Sequence, residues 1–513
     1  MRPAAVLVGG ILYALALPPF DWAACGWLTL VPLLLAVRTA SAAAAFRYGI
    51  LYGYASGWAV TWCFAGAAAR YFQLPFPIAV VALALWYLVV CGLPFGLFAA
   101  GSGMILRSTD RRMAGVLLPA LWVSTEFLRG HVMGQPWGLL GYTQHAQVGL
   151  IQIATLAGVY GVSFLVALGN TAAADLIERL ASGRRNLERA LGTIVVPGVV
   201  VSACWLVGWA ITPTSEPPAS DSRQVAIVQT NVAPSLHWTR SYTDAQVAAH
   251  LRASESLPTG TSSLIVWPEN SVPRYLEREP MLAVQLATLA MRQKADLLFG
   301  GPRYERGRTY NAARLITAAG RNGGYYDKRR LVLFAEEKPL AFSEHAALTE
   351  SPEEFSTGTG SGVLESFVPI GVSICHEIVH PDLIRTSVRD GAQLLVNIAN
   401  DGWLDGGYQV AGPQHLAMSV FRAVETRRFV VRAATTGTSA VIDPHGRLVA
   451  SQAPDTAGLV TAMVRGQKAM TPYVRFGDLF ALVCVAVAGS RLVRRPIRLA
   501  FRRPRALAAP APS

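Results

Sequence analysis

The chain has 513 residues, of which 52% are hydrophobic and only 15% charged, with a formal net charge of +13. The length allows two or three domains, and the composition excludes an ordinary soluble protein. The basic excess invites a nucleic-acid reading, but the placement of the arginines argues against one.

Residues 3–20, 22–37, 48–69, 71–106, 150–174 and 190–215 contain no Asp, Glu, Lys or Arg. A bilayer-spanning helix needs about 20 mostly apolar residues, and several of these runs qualify. Met113 to Thr125 is shorter, and Leu479 to Ser490 shorter still. The pattern predicts a transmembrane domain of seven helices over 1–212 and an eighth span near 476–494. The opening stretch, with Arg2 before an apolar core and Ala14-Leu15-Ala16, has the form of a cleavable signal. Apolar segments follow it directly, so it is read as an uncleaved first span. Alternate loops carry Arg2, then Arg38 and Arg47, then Arg107, Arg111 and Arg112, then Arg179, Arg184, Arg185 and Arg189. The tail adds seven more arginines from Arg491 to Arg505, whereas the intervening short loops offer only Arg70 and Arg129. By the positive-inside rule both termini are cytoplasmic and residues 213–472 lie on the outer side. No nucleic acid is expected as a partner.

After the Pro/Ser-rich linker "ITPTSEPPASDSR" the character changes. Short apolar runs at 225, 263, 296, 311, 368, 393, 428 and 459 alternate in places with helical patterns at Asp244–Ser256, Met281–Lys294 and Leu416–Arg428. This predicts an α/β domain over 213–472, its sheet buried on both faces. Residues 473–513 then hold the eighth helix and a basic tail.

Of six cysteines, Cys25, Cys63, Cys91, Cys204 and Cys484 lie in or against apolar stretches, where a thiol behaves as a small hydrophobe. Cys375, in "GVSICHEIVHPDLIR", stands alone in the polar region between a predicted strand and a predicted helix. Glu269 in "IVWPENS" and Lys328 in "YYDKRRLVLFAEE" also follow predicted strands, and open α/β sheets place ligands at such ends. The combination has a chemical use. A carboxylate base helps form the thiolate, and a fixed ammonium stabilises the oxyanion that develops when the thiolate attacks an acyl carbon. Each residue alone has a plain reading: a loop carboxylate, one charge in a basic run, a buried filler. The histidines lack metal-ligand spacing, so no metal or cofactor is expected.

On these residues, 225–462 resembles the nitrilase superfamily, whose core is an α-β-β-α sandwich with a Glu-Lys-Cys triad. With the flanking spans, and with "QTNVAPSLHW", "LVLFAEEKPL", "CHEI", "NIANDGW" and "GPQHLAMSVFRAVETRRFVVRAATTGTSAVID", nearly the whole chain is similar to the apolipoprotein N-acyltransferase family. The resemblance implies Glu269 as general base, Cys375 as nucleophile and Lys328 as stabiliser of the tetrahedral intermediate, with Glu336 assisting. Trp238 and Glu377 match further positions the family needs, and Trp403 reads as structural or substrate-binding. His376 stands where a Tyr is usual, and "LVLFAEEKPL" replaces a form closer to LVPFGEYVPL. The implied partners are the lipid bilayer, a phospholipid acyl donor such as phosphatidylethanolamine, and diacylglyceryl-apolipoproteins at the outer face of a bacterial inner membrane. A membrane-tethered amidase with the same triad and a non-enzymatic scaffold are the rival readings. The stretch from Glu336 to Ser361, with Leu340, Phe342, Leu348 and Phe355, is expected either to gate access of the acyl chain or to be a plain loop.

Overall fold

A computed structural model describes residues 2–71, 74–181, 187–214, 220–235, 238–332, 336, 355–405 and 408–500. Within the first 210 residues the described segments are mostly helical, as their charge-free runs predict. Phe76–Ser108, Ala154–Ala181 and Gly192–Ala210 are long and apolar enough to cross a membrane, and shorter apolar helices cover Arg2–Leu15, Ala23–Val37 and Leu479–Arg491. Gly192–Ala210 exposes Val196, Val199, Val207 and Trp209 on a helix whose surface is mostly left uncovered by the rest of the protein. An apolar surface of this extent requires a lipid or protein cover. Inside the helical region, Gly49 and Gly53 on helix Ala42–Thr61 press against the backbone of the neighbouring segment. A Cβ there would lie 2.1 Å from the Phe95 oxygen and 2.4 Å from that of Cys91. Small residues four apart let two helices approach closely where water supplies no driving force between them.

Among the described residues the second unit has twelve strands: β1 Arg223–Gln229, β2 Leu264–Val266, β3 Asp296–Glu305, β4 Arg308–Ile316, β5 Asn322–Asp327, β6 Val363–Glu365, β7 Pro369–Ile374, β8 Leu394–Ala399, β9 Val430–Ala434, β10 Ser439–Ile442, β11 Leu448–Gln452 and β12 Gly458–Val464. They form two six-stranded sheets in the orders β12-β1-β2-β3-β4-β5 and β11-β10-β9-β8-β7-β6. Strands β1, β2 and β3 are parallel, as are β7, β8 and β9. The alternation of strand side chains builds the layers. Val225 and Ile227 face Val372, Val396 and Val431 between the sheets, while Ala226 and Val228 face Val247, Leu286 and Leu289 of the outer helices Arg240–Glu255 and Pro280–Gln293. The second sheet is covered by helices Pro381–Arg389 and Ala411–Thr426. The result is the expected α-β-β-α sandwich.

One core joins the two units. Met418, Phe421 and Val424 of helix Ala411–Thr426 belong to the same apolar cluster as Tyr52, Phe95 and Trp122 of the helical region. The sandwich is therefore seated on the helices through the helix that covers its second sheet.

Candidate active site

Glu269, Lys328 and Cys375 lie just beyond the C-terminal ends of β2, β5 and β7. Because β4 is antiparallel to both β3 and β5, β5 runs in the same direction as β2 and β3. Glu269 and Lys328 are thus brought to one edge of the first sheet. Gly300 on β3 makes room for the first of them: a Cβ there would lie 2.7 Å from the Glu269 Cα.

All three groups are buried, with Lys328 1% exposed, Glu269 4% and Cys375 7%. Lys328 Nζ donates to Glu336 Oε1 at 2.8 Å and lies 3.5 Å from Glu269 Oε1. Asn311, on β4, donates from Nδ2 to Glu269 Oε1 and Glu336 Oε1, both at 2.8 Å. The Lys328 main chain is fixed as well, its N–H donating to Asn311 O and its carbonyl accepting from Gly358, both at 2.8 Å. Burial alone would lower the Lys328 pKa, but Glu336 and Glu269 outweigh it and hold the ammonium above the usual lysine range. Buried charges persist where they are paired in this way.

Cys375 has φ 52°, in the left-handed region, where a non-glycine residue costs roughly 1–3 kcal/mol unless its surroundings hold it. Beneath it, Asn397 Nδ2 donates to the Cys375 carbonyl at 3.4 Å, and Arg432 donates to Asn397 and, at 2.6 Å, to Asp401 Oδ2. His415 Nδ1 is 3.0 Å from Asp401 Oδ1. Burial opposes ionisation of Asp401, yet Arg432 and His415 prevail and keep it a carboxylate. Burial pushes the Cys375 thiol well above its ordinary value and Glu269 adds to this, while Lys328 opposes them. The site therefore holds a protonated thiol and a fixed cation, with the Glu269 side chain beside that cation.

Glu377 is more than a charge at a helix start. The segment after Cys375 is a 3-10 turn, Cys375–Val379, and the helix begins at Pro381. Glu377 is wholly buried and accepts hydrogen bonds from Tyr326 Oη (2.8 Å), Arg329 N (2.7 Å), Arg330 N (3.0 Å) and Ile374 N (2.8 Å). Burial raises its pKa against the pull of these donors and of Lys328. It ties the Lys328 segment to the Cys375 turn.

His376 stacks on Trp137 of the helical region, with centroids 5.7 Å apart and planes at 13°. Burial, His380, His415 and Lys328 all keep it neutral. Trp238 lies half-buried between β1 and helix Arg240–Glu255, and among the described residues no hydrogen bond or ring contact joins it to the triad. Trp403 sits in the short helix Gly402–Asp405, two residues after Asp401. Leu340, Phe342 and Leu348 lie outside the described residues, while Phe355 N donates to Glu336 O at 3.2 Å. Asn311 and Trp137 were missed by sequence reasoning. Asn311 is one polar residue in a strand, and Trp137 lies in a loop over two hundred residues from Cys375.

The carbon-nitrogen hydrolase family matches residues 224–469, and the apolipoprotein N-acyltransferase N-terminal domain matches residues 9–172. Among curated relatives, an apolipoprotein N-acyltransferase of Geobacter metallireducens is 33% identical over 97% of this chain and 95% of its own. One of Methylococcus capsulatus is 32% identical over 95% of each. The chain belongs to the apolipoprotein N-acyltransferase family.

Proposed function

We propose that this protein acylates the N-terminal α-amine of diacylglyceryl-cysteine on apolipoproteins, taking the acyl chain from a membrane phospholipid through a Cys375 thioester. One observation carries the reading: a buried Cys375 beside Glu269 and Lys328 lies in a hydrolase-type sandwich that shares its core with a bundle of apolar helices. Both substrates are lipid-anchored, so the site must be held at the bilayer.

In the first half-reaction Glu269 accepts the thiol proton as Sγ attacks the ester carbonyl. Lys328 stabilises the oxyanion, with Glu336 and Asn311 holding it and Glu269 in register. The ester C–O bond then breaks, and the leaving alcohol takes the proton from Glu269 and departs as lysophospholipid. In the second, the uncharged amine attacks the thioester carbonyl and Glu269 accepts its N–H proton. The C–S bond breaks, the proton passes to the Cys375 thiolate, and the amide is released. Phosphatidylethanolamine is the proposed donor. The proposed arrangement is seven spans, an outward-facing catalytic domain over 213–472, an eighth span and cytoplasmic termini in a bacterial inner membrane.

The test is a pulse and chase. Enzyme incubated with acyl-labelled phosphatidylethanolamine, without acceptor, should hold the label on Cys375 until a diacylglyceryl peptide is added and then yield a labelled amide. A transferase must keep water from the thioester. Steady release of free fatty acid without acceptor would instead identify a hydrolase.

A further inference from the structure

The stretch "GPQHLAM" heads helix Ala411–Thr426, and its Gln and His are both buried. His415 turns toward Asp401, under the nucleophile. Gln414 turns the other way, into the helical region. Its Nε2 donates to the carbonyls of Pro18 and Val60, both at 2.9 Å, and its Oε1 accepts from Trp137 Nε1 at 2.5 Å. One amide thus meets the main chain after helix Arg2–Leu15, the main chain within helix Ala42–Thr61 and the indole that stacks on His376.

The segment carrying Trp137 lies between helices Arg111–Val132 and Val148–Ile151. From the helical side it is held by Arg129, which donates to Trp137 O at 2.7 Å, by Tyr13 Oη to Gly138 O at 2.6 Å, and by Leu140 N to Glu126 Oε1 at 2.6 Å. These three bonds fix the main chain. The bond to Gln414 comes from the catalytic domain and fixes the plane of the indole.

We propose that Gln414 is a positioning residue for the lipid-dependent half of the reaction, holding Trp137 flat against His376 so that the helical region supplies one wall of the site beside Cys375. The inference rests on the acyl-transfer reading above. A small soluble acyl donor needs only Cys375, Glu269 and Lys328, none of which Gln414 touches. A membrane-anchored donor must also bring its chain past the junction of helices and sandwich, where this wall stands. Glutamine suits the position because it supplies two donors and an acceptor in one plane. Methionine, of similar size, would remove the donors to both carbonyls and the acceptor of a buried indole N–H.

The experiment follows Cys375 acylation by intact mass in the full-length protein, with phosphatidylethanolamine vesicles and, separately, p-nitrophenyl acetate. Gln414→Met should slow labelling from phospholipid by about tenfold to a hundredfold, the range set by misplacing a positioning group. Acetylation by p-nitrophenyl acetate should stay within about twofold of wild type on the same argument. Trp137→Phe keeps a ring but cannot donate to Gln414, so the double variant should be no slower than the slower single one. Equal loss with both donors, no loss with either, or additive losses in the double variant would each overturn the assignment. Wild-type protein that accepts acetate but never phospholipid would instead remove the acyl-transfer reading on which it rests.

Discussion

Glu377→Gln tests whether the two catalytic segments are held together by one buried carboxylate. Oε1 accepts from Tyr326, Arg329 and Arg330, and Oε2 from Ile374. A glutamine can keep its oxygen toward the first three, which turns its NH2 toward the Ile374 N–H and leaves that buried donor unpaired. Such a loss costs about 1–3 kcal/mol. If it falls on the relative placement of Cys375 and Lys328, the rate drops by roughly fivefold to 150-fold. Glu377→Ala leaves all four donors unpaired and should be worse in both rate and stability. The assay is the rate of Cys375 thioester formation from labelled phospholipid, with Tm measured on the same samples. Wild-type rate and Tm for Glu377→Gln would refute the reasoning.

Iodoacetamide should alkylate Cys375 slowly at pH 7 and faster as pH rises above the free-thiol value of about 8.5, because burial and then Glu269 raise its pKa. Glu269→Gln removes one raising charge, so the alkylation profile should move to lower pH while acyl transfer is lost; a move to higher pH would contradict the assignment. Asn311→Leu should slow thioester formation by at least about tenfold, since it removes the shared hydrogen bond that sets both carboxylates. An unchanged rate would make Asn311 dispensable. A reporter fused after Pro217 should read as periplasmic and one after Arg498 as cytoplasmic; the same side for both would eliminate the eighth span.

Glu269 and Cys375 are legible in the sequence because each follows a run of apolar residues, β2 being buried throughout and β7 from Ile370 onward, whereas β5 before Lys328 is mostly polar or glycine. The strands read from the sequence, at 225, 263, 296, 311, 368, 393, 428 and 459, correspond to β1 to β4, β7 to β10 and β12, and the strand expected before Lys328 is β5. Strands β6 and β11 escaped notice for physical reasons. β6 has three residues, and β11, "LVASQ", is an edge strand with no buried residue, so neither needs a strong apolar pattern. Helix Ala411–Thr426 was placed from Leu416, five residues late, because its first turn carries Gln414 and His415. Gln414 is buried by partners that lie far away in sequence, and His415 by Asp401 beyond the preceding loop. The sequence predicts a helix directly after Cys375, whereas a 3-10 turn comes first and the helix begins at Pro381, because spacing alone does not separate the two. Pairings such as Trp137 with His376 depend on how the helical region meets the sandwich, and no local pattern encodes that.

The most direct measurement is intact mass of the purified protein after incubation with a phospholipid of defined acyl chain and no acceptor. The account predicts a mass increase of one acyl group, mapped to Cys375, reversed by hydroxylamine and absent in Cys375→Ala. An adduct that persists in Cys375→Ala, or wild-type protein that never gains the acyl mass, would contradict it.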